Sequence, residues 1–105
     1  MAVDKNTGDI ISLEEAVNYT HSFQERQSKA IKSFFVGTNK LNLIIEQEGC
    51  IGVRIYNGYD PVTNKENRVL VGVDASGEDI SNGVIVEELS PCPVHCPKVS
   101  PLIKR

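Results

Sequence analysis

Apolar positions recur every three to four residues in the first part of the chain and every second residue later, a pattern that predicts helices followed by strands. Leu13, Ala16, Val17, Thr20, Phe23, Gln27, Ala30 and Ile31 form one stripe, and Glu14, Asn18, His21, Glu25, Lys29 and Lys32 fall on the opposite side. Ser12 followed by Glu15 is a capping box, each residue satisfying the other's backbone amide, so a helix starts there and is expected to reach about residue 32. Residues 33–37 read either as its last turn or as an extended segment that inserts Phe34 and Phe35 into the core. Thr38 or Asn39 then caps a shorter helix through Glu48, with Leu41, Ile44 and Ile45 inward and Gly49 supplying the left-handed residue that ends it.

From Cys50 the alternation of Ile51, Val53 and Ile55 with Gly52, Arg54 and Tyr56 predicts a strand, and Val69, Val71 and Val73 predict a second over residues 68–74. Residues 57–67 between them read as a polar loop, because Asp60-Pro61 and Thr63-Asn64 interrupt either strand. Turn signals at residues 74–77 and at Asn82-Gly83 place residues 78–81 opposite residues 84–88. Prolines 91, 93, 97 and 101 then exclude helix and central strand, leaving an extended or turning strap. The expected fold is α+β: two N-terminal helices packed on a small antiparallel meander of three or four strands, closed by a Pro/Cys-rich segment. One domain over residues 1–105 is expected, with residues 1–11 as a tail, 12–89 as the globular core and 90–105 as the strap.

A net charge of −3 argues against binding to phosphate backbones, which needs clustered Lys and Arg, so no nucleic-acid partner is expected. The first residues lack the basic start and apolar centre of a secretory signal, and no apolar run approaches the roughly 20 residues of a membrane helix. The sequence therefore reads as cytoplasmic, without a membrane partner. In that compartment the three cysteines would be reduced or metal-bound rather than paired as a framework.

Candidate chemistry concentrates in residues 91–97, which bring Cys92, His95 and Cys96 together between prolines. Thiolate and imidazole are zinc ligands, but a closed site needs four donors, and adjacent His95 and Cys96 are awkward co-ligands. Cys50 or His21 would complete a zinc set only if the tail folded back. A Cys92–Cys96 disulfide is the alternative that the spacing allows, and a thiol redox role follows as a further one. Cys50 alone reads as a small buried hydrophobe. Arg54 is a candidate contact for an anion or a partner carboxylate, its plain alternative being a cross-strand pair with a glutamate such as Glu87. Asp74, Ser76, Glu78 and Asp79 supply oxygens but miss the order of a calcium loop, so they read as a turn. No catalytic set emerges.

The run from Gly49 to Tyr56, the segment from Leu70 to Asp74 before Gly77, and the two Cys-Pro pairs at 92–93 and 96–97 resemble a group of small bacterial proteins without assigned activity. The resemblance covers about half the chain and implies a bacterial cytoplasmic protein, with no catalytic or binding residue carried over. The expected function is that of a non-enzymatic interaction module whose partner is another protein or a further copy of the chain. A small zinc-binding protein and a thiol redox protein are the alternatives, and no other cofactor is expected.

Overall fold

The computed structural model describes residues 3–105 and shows an α+β protein. Helix α1 spans Leu13–Arg26, strand β1 Ser33–Phe35, helix α2 Thr38–Ile45, strand β2 Gly52–Asp60, strand β3 Lys65–Val73, strand β4 Ile85–Val86 and strand β5 Ser90–Cys92. Three strands form an antiparallel sheet in the order β2-β3-β4, and β1 pairs with β5 in a second, two-stranded sheet. The chain gathers into two compact units: residues 3–7 with 35–89, and residues 8–34 with 90–105. The C-terminal strap therefore belongs with α1, in a unit separate from that of the three-stranded sheet.

In the first unit α2 lies against β2 and β3. Ile44 is fully buried, and Leu70, Val71 and Val73 of β3 are nearly so. Gly72 is what lets the helix approach. A methyl group on its Cα would sit 3.1 Å from Cys50 Sγ and 3.3 Å from Ile44 Cγ2, tighter than ordinary packing. Gln47 ties the helix end to the sheet edge, its Nε2 donating to the Ile44 carbonyl and its Oε1 accepting from the Val84 amide at 2.8 Å. The helix starts after Gly37 without a side-chain cap, not at a Thr38 or Asn39 cap, and it ends earlier than expected, at Ile45. Gly49 has the expected left-handed backbone, φ 79°, but in the turn beyond the helix. Ile45, expected inward, is exposed.

The expected loop over residues 57–67 is largely strand. β2 and β3 pair without interruption from Gly52 opposite Val73 to Asp60 opposite Lys65, and the turn shrinks to residues 61–64. Asp60 makes that turn: its Oδ1 accepts from the Val62 amide and its carbonyl from the Asn64 amide, with Asn64 left-handed at φ 58°. Asn57, Glu66 and Asn67 read as loop residues because they are polar, yet polarity does not prevent pairing where a sheet face meets water. The proposed pairing of residues 78–81 with 84–88 is also replaced. Both segments run along β3 instead: Asp79 bridges Val73, the Ile80 amide donates to the Gly72 carbonyl, and Ile85 and Val86 pair with Val71 and Leu70. Residues 74–77 form the expected turn, with Asp74 Oδ1 accepting from the Ser76 and Glu78 amides.

In the second unit the Ser12–Glu15 capping box is present as expected. The helix stops at Arg26, however, and its inward stripe is rotated. Ala16, Val17, Thr20, His21 and Gln24 are the shielded positions, while Leu13 and Phe23 are exposed. The cause lies far along the chain. Gln24 Nε2 donates to the Leu102 carbonyl at 3.0 Å, its Oε1 accepts from the Lys104 amide at 2.7 Å, and His21 Nε2 donates to the Pro101 carbonyl at 3.0 Å. Ile103, brought in by these bonds, is buried together with Cys92. Residues 33–35 adopt the extended alternative, and Phe35 points to solvent rather than into a core. The Pro91-containing strand β5 is a short edge strand, the setting in which proline is tolerated.

Candidate functional site

β5 ends at Cys92, and the chain turns back so that Cys92 and Cys96 form a disulfide with their Cα atoms 4.7 Å apart. The turn is held by the His95 amide donating to the Pro91 carbonyl and the Cys96 amide donating to the Val94 carbonyl, each at 3.0 Å. A hydrogen bond of 2.7 Å joins His95 Nδ1 to Ser90 Oγ, bracing the loop against its own strand. The two sulfurs are unequal. Cys92 is only 1% exposed and its carbonyl accepts from the Lys32 amide, whereas Cys96 is half-buried and lies between exposed His95 and Pro97.

Of the candidate metal ligands, the structure joins Cys92 and Cys96, while the ring of His95 is bonded to Ser90. In the disulfide the sulfurs are bonded to each other, so the pair would serve a metal only after reduction. Among the described residues no cluster of three or more His, Cys, Asp or Glu side chains is arranged to hold an ion. Cys50 belongs to the other unit, where it is free and its thiol donates to the Gly52 carbonyl at 3.2 Å. His21 spends Nε2 on Pro101.

A second polar group forms on the sheet. Arg54 Nη1 binds Asp79 Oδ1, both guanidinium nitrogens reach the Gly77 carbonyl at 3.3 Å, and the Tyr56 hydroxyl donates to Asp79 Oδ2. Asp79, not Glu87, is thus the partner of Arg54, while Glu87 accepts from Asn67. The Tyr56 hydroxyl bond, followed by the Arg54 hydrogen bond and charge, holds the Asp79 carboxyl below its usual range. The same Asp79 contact, aided by desolvation, raises Tyr56, and it raises Arg54 further. This arrangement neutralises Arg54 within its own sheet and leaves it a weak receptor for an outside anion. Asp79 was readable only as a turn residue, because its pairing depends on the register of residues 78–80 along β3.

The remaining feature is an edge. β2 is the outer strand of its sheet, and among the described residues it pairs only with β3. Ile55, Tyr56 and Tyr59 along it are exposed, Ile55 at 63% and Tyr59 at 59%. The alternation of apolar and aromatic residues from position 51 was the signal for the strand, but only the strand order reveals which side is open.

No helix among the described residues is long and apolar enough to cross a membrane. No protein-family model, curated protein or solved structure matches the chain.

Proposed function

We propose that this protein is a non-enzymatic binding module that docks by adding a strand to the free edge of β2, and that its partner is a second copy of the chain. The open edge carries the reading. Strand β2, Gly52–Asp60, is nine residues long and among the described residues has a strand partner on one side only, and an edge of that length, whose alternate residues point backbone groups outward, invites strand addition. β2 contains no lysine or proline to discourage it. Its sequence is also self-complementary about Asn57. In an antiparallel pairing with that residue on the two-fold axis, Ile55 faces Tyr59 of the second copy and Tyr56 covers its Gly58. Aromatic–aliphatic and aromatic–glycine pairs are combinations that stabilise neighbouring strands.

Sedimentation across a concentration series tests the proposal. The wild-type chain is expected to dimerise, and Ile55→Lys, which puts like charges near the axis on an already exposed position, is expected to remain monomeric with unchanged circular dichroism. A wild-type chain that stays monomeric throughout would overturn the reading, as would a variant that dimerises equally well.

A further inference from the structure

We infer that the Cys92–Cys96 pair is a thiol–disulfide exchange site for small monothiols of the glutathione class, with Cys96 as the sulfur that is attacked. Three observations carry this. The first is asymmetry: Cys92 is sealed at 1% exposure at the end of β5, whereas Cys96 lies on the loop between two exposed residues. The more open residue is the one that an incoming thiolate would reach, and the sealed one is left to depart.

The second is how the ring is anchored. The Cys92 carbonyl accepts from the Lys32 amide at 2.6 Å, just ahead of β1, and Ser90 Oγ holds His95 Nδ1 at 2.7 Å. Opening the sulfur bond leaves both contacts in place, so the two thiols stay close enough to close again. The third is size. A separation of four residues restrains little of the unfolded chain, which makes this ring a poor staple. Cys50, already bonded to the Gly52 carbonyl in the other unit, takes no part.

The exchange balances as follows. The thiolate of the small thiol attacks Cys96 Sγ, the sulfur–sulfur bond breaks, and its electron pair passes to Cys92 Sγ. This leaves a mixed disulfide on Cys96 and a thiolate at Cys92, which takes up the proton given up by the attacking thiol. A second small thiol then attacks the outer sulfur of the mixed disulfide, releasing the Cys96 thiol and one oxidised small-molecule disulfide. Two electrons and two protons enter the protein. The reverse sequence restores the ring.

The test uses the full chain incubated in native buffer with millimolar reduced glutathione, then acid-quenched, alkylated and mapped by mass spectrometry. The expected result is reduction of the pair while circular dichroism stays native, with trapped glutathione on Cys96 exceeding that on Cys92 by about tenfold or more. In a complementary arm, Cys92→Ser is expected to accept glutathione from its oxidised form at Cys96, and Cys96→Ser to resist it at Cys92. A pair that remains oxidised until denaturant is added would overturn the inference, as would wild-type adducts on Cys92 that equal or exceed those on Cys96. The wild-type arm decides the matter even if a variant fails to fold, and neither arm depends on whether β2 pairs with a second copy.

Discussion

Asp79 receives two hydrogen bonds from one sheet face, a guanidinium on one oxygen and a phenol on the other, and this sets how the protein should respond to pH. Its carboxyl is lowered in the fold, so its contribution is present above the unfolded carboxylate value near pH 4 and is lost as pH falls through the lower folded value. Tyr56 is raised, so its contribution is present below the unfolded phenol value near pH 10 and is lost as pH rises through the higher folded one. Tyr56→Phe should therefore abolish the alkaline loss and move the Asp79 titration upward, since its largest stabilising bond is gone. Carboxyl titration by NMR and phenolate absorbance check the two arms separately. The sequence offers Arg54 and Tyr56 as neighbours on one strand face but not the carboxylate between them, because the turn signals at 74–77 and 82–83 direct residues 78–80 toward 84–88 and not along β3.

At the level of elements, what the sequence revealed was local. The capping box at Ser12 and the valine alternation of β3 each depend on a few adjacent residues, and each is found where expected; Gly49 has the expected left-handed backbone but does not end the helix. What it concealed depends on distant partners. The buried side of α1 is chosen by residues 101–104, and the length of β2 and β3 by a turn that brings polar residues into register. The same contrast separates two neighbours on α2 that are equally apolar. Ile44→Ala is expected to cost about 2–5 kcal/mol, because it leaves a hole against β3. Ile45→Ala is expected to stay within about 0.5 kcal/mol, since that side chain already meets water. Denaturant unfolding of both variants measures the difference.

At the scale of the whole molecule, both compact units are built from two separated stretches of chain, which no pattern of composition along the sequence would disclose. The second unit joins α1 to a segment some eighty residues later, and Gln24 and His21 make the joint. The Gln24 carboxamide both donates and accepts, toward Leu102 and Lys104, as a peptide group would in a strand pair. Deleting residues 102–105 would leave that amide in place without either partner and remove Ile103 from its site. The expected cost is about 1–3 kcal/mol for the unpaired polar group alone, or more once the apolar loss is added, read as a lower melting temperature. The zinc alternative would require this unit's thiols in their reduced form, a state that the same glutathione experiment produces. Because Gln24 fastens Leu102 and Lys104 as a rung fastens a rope, residues 102–104 are no loose tether. A reporter fused behind Arg105 would turn with α1 and register its motion.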